Sequence, residues 1–177
     1  MEATTDIEVR DLRPEEAAEA AGVLARGMRD NPLHVAAYGT DPDRREHVHG
    51  KVCTFVLTSM SAQQPIVAVE GETIVGVAGA TPPGRCQPSG GERVRMLPTL
   101  ATLGPRTSWR ILSWIGEWSK HDPPETHVHL GPVGVDRHLQ GRGIGSLLMT
   151  EHARRLDEAN QVGYLETDKD VNVSFYE

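Results

Sequence analysis

The sequence has 177 residues, of which 38% are hydrophobic and 24% charged, and this balance predicts one globular α/β domain over 1–177 with a substantial core. The net charge of −7 argues against a general nucleic-acid binder, which needs a basic face. Residues 1–20 lack the apolar core of a signal peptide, and no apolar stretch is long enough to span a bilayer. Cys53 and Cys86 show no metal-type spacing or disulfide framework. We therefore expect a cytoplasmic protein with neither nucleic-acid nor membrane partners.

The N-terminal part of the chain predicts a short strand followed by two helices. Residues 7–10 alternate between apolar and charged side chains, as a strand does. Pro14 suits the first turn of a helix, and the stretch 27–32 ends that helix. A second helix is predicted from about Arg44 to Met60. The first helix carries an apolar stripe formed by Ala17, Ala21, Leu24 and Met28.

The middle of the chain predicts a β-hairpin and then a helical insert. Residues 65–70 and 73–81 flank Gly71-Glu72, which is typical of a hairpin turn, and a loop rich in Pro, Gly and Ser follows. Residues 93–122 have the apolar spacing of one or two helices and contain all three tryptophans, Trp109, Trp114 and Trp118. The insert 82–124 either packs onto the sheet or forms a wall of a substrate pocket, and one helix could do both.

A glycine-rich turn lies between an apolar strand and an amphipathic helix near the C-terminus. The segment 130–135 is apolar, Gln140-Gly141-Arg142-Gly143-Ile144-Gly145-Ser146 follows, and the helical spacing begins at Ile144. Glycines let the backbone approach a ligand closely, and the N–H groups at a helix N-terminus favour anions. The turn therefore predicts a pyrophosphate site.

Two familiar phosphate-binding motifs compete for this turn. A Walker A loop needs Lys followed by Ser or Thr after the last glycine, and here Ser146 follows Gly145 directly. A dinucleotide fingerprint starting at Gly141 would place Ser146 in the third glycine position, and Glu166 follows at about the required distance. That fingerprint belongs to a first βαβ unit, whereas this one lies near the end of the sequence. An NAD(P)-dependent oxidoreductase remains the less favoured alternative.

His127 and His129 alternate on the strand that leads into the turn, so both side chains face one side. Either imidazole could accept a proton near neutral pH, or both could be ordinary hydrogen-bonded residues of a strand. As a metal pair they need a third ligand, and the sequence indicates none, so no metal is expected.

Three C-terminal elements together resemble a known family. Gln140-x-x-Gly143-x-Gly145, the strand ending Leu165-Glu166-Thr167, and Asn172-x-x-Phe175-Tyr176-Glu177 are similar to the GNAT superfamily of acetyl-CoA-dependent N-acetyltransferases. The last two elements look most like the small-molecule branch that includes puromycin N-acetyltransferase. The resemblance implies a mixed, mostly antiparallel sheet flanked by helices, with a splayed central strand pair and an acetyl-CoA-binding core over 127–177. The family's last strands are expected to be missing from this sequence.

The resemblance also implies roles for individual residues. The backbone of Val133, Gly134 and Val135 would pair with the pantetheine arm of acetyl-CoA. The turn would cradle the pyrophosphate through Gln140, Gly141, Arg142, Gly143, Ile144, Gly145 and Ser146. Asn172 would bind the cofactor amide, although it could instead cap a helix. Tyr176 would protonate the departing thiolate, unless it is an ordinary core tyrosine.

The identity of the general base is left open. It is either His129, which has His127 beside it, or Glu166. The predicted reaction is direct acetyl transfer to the primary amine of a small molecule in a ternary complex, without an acetyl-enzyme. A non-catalytic acetyl-CoA sensor is the alternative from a different class. The identity of the amine is not readable, and the protein is expected to be a monomer or a homodimer.

Overall fold

The computed structural model describes residues 6–60 and 63–176, and these residues form five strands and seven helices. The strands are β1 (Ile7–Asp11), β2 (Ile66–Glu70), β3 (Thr73–Thr81), β4 (Val128–Val135) and β5 (Gly163–Tyr164). The helices are α1 (Ala17–Gly27), α2 (Pro32–Tyr38), α3 (Pro42–Ser59), α4 (Gly90–Leu103), α5 (Pro105–Trp118), α6 (Ile144–Ala159) and α7 (Asp170–Tyr176). None of the helices in this described part has the length and apolar character needed to cross a bilayer.

The five strands form one curled, mixed sheet in the order β1-β2-β3-β4-β5. The first three pairings are antiparallel, and β4 pairs with β5 in parallel. The predicted hairpin is present, with Gly71 at a φ of 66° in its turn. The mostly antiparallel mixed sheet that the sequence predicted is therefore confirmed.

Helices cover both faces of the sheet, which explains the continuous apolar runs in β2 and β3. On one face, Val67 and Val77 pack in a core cluster with Leu24 of α1 and Cys53 of α3. The alternate residues of the same strands face the other side, where Ile144 and Leu148 of α6 cover them. The sheet is thus the middle layer of three.

Strand β4 has a different partner on each edge, and the two pairings differ in length. On one edge β3 follows it from His129 to Val135, with a register shift between Ala78 and Ala80. On the other edge β5 pairs at Val128 and His129. Beyond His129, no strand of the described residues pairs with this edge. The splayed central pair that the resemblance implied is therefore present between β4 and β5.

Three details differ from the sequence-based expectations. Helix α2 was not predicted, because the seven residues from Pro32 to Tyr38 are too few for a clear periodicity. The predicted strand over 164–167 is shorter and begins one residue earlier, at Gly163. Helix α5 of the insert makes its main contacts with α2 and α4 rather than with the sheet.

Gly27, the last residue of α1, lies directly against the backbone of Val135 at the end of β4. A Cβ added at Gly27 would lie 2.3 Å from the Val135 carbonyl oxygen and 3.0 Å from its carbonyl carbon. Such contacts cannot be relieved by rotating a side chain, because both groups belong to the backbone. Gly27 therefore fixes how closely α1 can approach the strand.

We expect Gly27→Ala to lower the free energy of unfolding by about 1–3 kcal/mol, as overpacking does. Gly50→Ala in α3 is the matched control, because its Cβ would meet the Ala25 side chain at an ordinary 3.6 Å. Urea denaturation of both variants measures the difference. Equal stability of the two variants would contradict the close approach of α1 to β4.

Candidate functional site

The glycine-rich turn connects the end of β4 to the N-terminus of α6. Gly141 and Gly143 have φ values of 80° and 82°, and Gly143 is the N-cap of α6. Residues 141–143 are exposed, so the free N–H groups of the first turn of α6 are accessible to a ligand. Positive φ angles and outward N–H groups make this turn suited to an anion such as a pyrophosphate.

The side chains of Gln140 and Arg142 stabilise the conformation of the turn and bind protein groups rather than line the anion site. Gln140 Nε2 donates to the carbonyl oxygens of Gly27, at 3.0 Å, and Val135, at 3.1 Å. Arg142, which the resemblance assigned to the phosphates, donates to Glu70 at 2.8 Å. The side chain of Ile144 is buried in the core, so this residue can contact a ligand only through its backbone. Ser146 is exposed on the first turn of α6.

A cavity of about 310 Å³ brings the candidate catalytic residues together. It is lined by His129 and Val133 of β4, by Glu166 after β5, and by Asn172 and Tyr176 of α7. These residues are far apart in sequence, and the sheet brings them together on one side of the opening between β4 and β5. Gly134 is buried and Val135 half-buried at the end of the same strand.

Glu166 is the centre of a polar cluster in this cavity. Its Oε1 accepts a hydrogen bond from Tyr164 Oη at 3.0 Å, and its Oε2 lies 3.0 Å from His129 Nε2. Burial raises the pKa of Glu166, but the contact with His129 and the hydrogen bond from Tyr164 outweigh it, so the pKa lies below its ordinary value. Burial, followed by the hydrogen bond to Glu166, raises the pKa of Tyr164 to about 12.

His127 is buried beside this cluster and faces the loop after β3. Its Nδ1 lies 2.7 Å from the carbonyl oxygen of Glu125, and its Nε2 lies 3.3 Å from Cys86 Sγ. Cys86 is half-buried, and burial raises the pKa of its thiol. Forty-one residues separate Cys86 from His127, so no local spacing in the sequence could have linked them.

Helix α7 places Tyr176 and Asn172 on the cavity. Burial raises the pKa of Tyr176, so its phenol stays protonated at neutral pH. Asn172 lies inside the helix and donates to Thr167 Oγ1 at 3.1 Å, which differs from the capping role that its residue type allowed. Asp168 fixes the segment before the helix by accepting from Asn31 Nδ2 at 3.2 Å and from the Leu33 N–H at 2.8 Å.

The far wall of the cavity is apolar and comes largely from the insert. Trp114 and Trp118 of α5 line it with their rings edge to face, 5.2 Å between centroids. The indole N–H of Trp114 is buried and has no hydrogen-bond partner among residues 6–60 and 63–176. Trp109, by contrast, is 70% exposed. Further apolar lining comes from Val52, Phe55, Met60, Met96, Ile111 and Ile115.

Sequence reasoning missed several residues that line or support this site. Tyr164, Asp122 and Cys86 carried no motif, although its position in a short strand was a usable signal for Tyr164. His34 and His152 have no partner pattern in the sequence, yet both are buried. The Nδ1 atom of His34 lies 2.7 Å from the Met28 carbonyl oxygen.

Comparisons with known proteins agree with this geometry. The model of the acetyltransferase (GNAT) family matches residues 33–177, whereas no curated protein matches the sequence. A solved structure described as histone acetyltransferase HPA2 and related acetyltransferase from Corynebacterium glutamicum has a TM-score of 0.69 at 18% identity, covering 96% of this chain and 81% of that one.

Two further solved structures are similar in fold. A GNAT family acetyltransferase from Brucella melitensis, in complex with acetyl-CoA, has a TM-score of 0.56 at 20% identity and covers 97% of this chain and 82% of that one. An agmatine N-acetyltransferase variant has a TM-score of 0.52 at 21% identity, covering 88% and 72%. Since the family model spans most of the sequence, the chain belongs to the acetyltransferase (GNAT) family, whose chemistry is acetyl transfer from acetyl-CoA.

Proposed function

We propose that the protein transfers an acetyl group from acetyl-CoA to the primary amine of a small molecule, by direct attack in a ternary complex. The observation that carries this proposal is the shared cavity, which His129, Glu166 and Tyr176 line together with Val133 of β4. A base, an acid and the strand expected to hold the thioester thus lie around one space. The family match argues against the dinucleotide alternative, which we do not propose.

Acetyl-CoA binds along β4 and the glycine-rich turn in this proposal. The pantetheine arm pairs with the unpaired edge of Val133, Gly134 and Val135, as a further strand would. The N–H groups from Gly141 to Ser146 receive the pyrophosphate, and Arg142 joins them if it exchanges its partner Glu70 for phosphate oxygen. A backbone N–H of β4 polarises the thioester carbonyl, in the manner of an oxyanion hole.

His129 and Glu166 act together on the proton of the attacking amine. The pKa of Glu166 lies below its ordinary value, so the carboxylate is a weak base and a good partner for a cation. The imidazole of His129, 3.0 Å away, accepts the proton as the amine nitrogen bonds to the acetyl carbon. Glu166 then stabilises the imidazolium, as a carboxylate beside a catalytic histidine does.

Tyr176 supplies a proton at the other end of the reaction. As the carbon–sulfur bond breaks, the CoA thiolate takes the phenolic proton, and solvent reprotonates the tyrosine. A phenol is suited to this because its pKa, raised by burial, keeps it protonated at neutral pH. Asn172, one turn earlier on α7, binds an amide of the cofactor with the part of its side chain that does not contact Thr167.

The acceptor is a small amine with an apolar body. Glu166 and Asp122 provide negative charge at one end of the cavity, and the aromatic and aliphatic residues of α5 form its other wall. The buried N–H of Trp114 favours a hydrogen-bond acceptor on the substrate body, because a buried donor is costly to leave unpaired. This apolar wall is the reason to propose a small molecule, in agreement with the branch that the C-terminal motifs resemble. Cytoplasmic location and oligomeric state stay predictions from the sequence.

The direct test is an acetylation assay with a panel of primary amines. Purified protein is mixed with acetyl-CoA, and free CoA thiol is measured with each amine and without any. We expect turnover with amines that carry an apolar or aromatic body, and acetylated amine as the product by mass spectrometry. Acetyl-CoA binding without turnover of any amine would favour a non-catalytic sensor instead.

Gly143→Ala tests the cofactor site. Its positive φ makes alanine strained by about 1–2 kcal/mol, so the turn should shift and the Kd for acetyl-CoA should rise about tenfold. Gly71→Ala is the matched control, because it has a similar φ of 66° in the hairpin and open space around its Cβ. Calorimetric titration measures both variants. An equal loss of affinity in the two would refute a specific role of the turn.

Tyr176→Phe tests the proton donor. We expect kcat to fall about 100-fold, while the Kd for acetyl-CoA stays within about twofold, because the ring and its packing remain. Single-turnover kinetics and calorimetry separate the two quantities. Unchanged kcat would show that another group protonates the thiolate.

Glu166→Gln tests the partner of His129. The amide keeps the shape of the carboxylate but removes the charge that stabilises the imidazolium, so kcat should fall about 10–100-fold. Glu125→Gln is the control, since Glu125 is an exposed carboxylate of the segment that leads into β4. Steady-state rates at saturating amine and acetyl-CoA give the comparison, and a similar loss in both variants would refute the assignment.

A further inference from the structure

We propose that Cys86, His127 and His129 form a binding site for Zn²⁺ at the edge of the acceptor cavity. The three residues come from two separate segments, the loop after β3 and the segment 127–129 that leads into strand β4. Each offers one ligand atom, and all three atoms lie within 4.8 Å of one another. The two histidines lacked a third ligand in the sequence, and the structure provides one in Cys86.

The distances suit a single tetrahedral ion. Ligands bound to Zn²⁺ at about 2.0–2.3 Å are separated from each other by about 3.3–3.8 Å. Cys86 Sγ lies 3.3 Å from His127 Nε2, and His129 Nδ1 lies 3.8 Å from Asp122 Oδ1. Asp122 contacts His129 but lies outside the group of three whose ligand atoms are mutually close, so the fourth position of the ion is left to solvent. The three ligand atoms need to close by about 1 Å at most.

His127 is already oriented in the manner of a metal ligand, and His129 has a carboxylate beside its second ring nitrogen. Ligating histidines use their second ring nitrogen to donate to a carbonyl or carboxylate oxygen. His127 Nδ1 faces the Glu125 carbonyl at 2.7 Å, which directs Nε2 at Cys86. His129 Nε2 faces Glu166 at 3.0 Å, which makes Nδ1 its ligand atom.

The loop that carries Cys86 is tied to the same region. Gln87 Nε2 donates to Asp122 Oδ2 at 2.7 Å, so the residue after the thiol is anchored beside His129, which Asp122 contacts. One thiolate and two imidazoles are a donor set that Zn²⁺ binds well. Cys86 is half-buried, which leaves an entry path for the ion, and its thiol proton is released to solvent on binding.

Occupation of this site has a consequence for acetyl transfer, and this consequence alone rests on the proposed function. An ion on His129 occupies the imidazole that would accept the amine proton. Zn²⁺ should therefore inhibit turnover while leaving acetyl-CoA affinity unchanged, since the glycine-rich turn lies apart from these ligands.

The binding experiment uses metal-free protein and does not depend on activity. Calorimetric titration with Zn²⁺ should give one site per chain, and Co²⁺ should produce the near-ultraviolet band of a cobalt–thiolate bond. Cys86→Ser should abolish that band, and Cys86→Ser and His127→Gln should each weaken Zn²⁺ binding at least about 100-fold. His47→Gln, which alters an exposed histidine of α3, should leave both unchanged.

Three results would overturn the site. These are a cobalt spectrum without thiolate character, unchanged Zn²⁺ affinity in both ligand variants, and an equal loss in His47→Gln. Circular dichroism melting shows whether each variant is folded, and the half-buried loop position makes Cys86→Ser the variant that keeps the core intact. If Zn²⁺ binds as expected but turnover is absent with and without it, the metal site stands and the proposed function fails.

Discussion

The free edge of strand β4 is the constraint on which the site depends. Beyond His129 the strand pairs with β3 on one side, while its other side has no strand partner in the described part of the chain. Exposed N–H and C=O groups on a strand are able to pair with another extended chain. The same divergence that leaves this edge open also makes the space in which Glu166 and His129 face each other.

The elements around this opening hold it at a fixed width. Gly27 brings the end of α1 against Val135, and Gln140 hydrogen-bonds to both carbonyl groups. On the opposite side, Asp168 connects the segment after β5 to the start of α2. Several of these contacts join a side chain of one segment to the backbone of another, so they fix the positions of α1, α2 and β4 around the opening.

Buried charge explains the polar composition of an otherwise apolar cavity. A carboxylate taken out of water needs partners, and Glu166 has Tyr164 and His129 at 3.0 Å each. The remaining wall from α5 is apolar apart from the buried indole N–H of Trp114, which has no partner among the described residues, and this wall is free to fit a substrate body.

The sequence by itself determined the C-terminal half of the site. The glycine-rich turn, the strand before it and the position of Tyr176 were readable, because each depends on residue types at short, fixed spacing. The hairpin around Gly71-Glu72 followed from the same kind of local pattern, whereas the mostly antiparallel sheet was implied by the resemblance to the family. The role of each residue stays a prediction.

Tertiary structure alone decided which distant groups meet. Cys86 reaches His127 across forty-one residues, Arg142 pairs with Glu70 from another strand, and Trp114 reaches the cavity by packing α5 on helices rather than on the sheet. Helix α2 was too short to show a period, and burial of His34 depends on neighbours from other segments. The spacing of residues along the chain indicates which residues are neighbours within one helix or strand. Contacts between elements arise from tertiary packing, and no local sequence pattern predicts them.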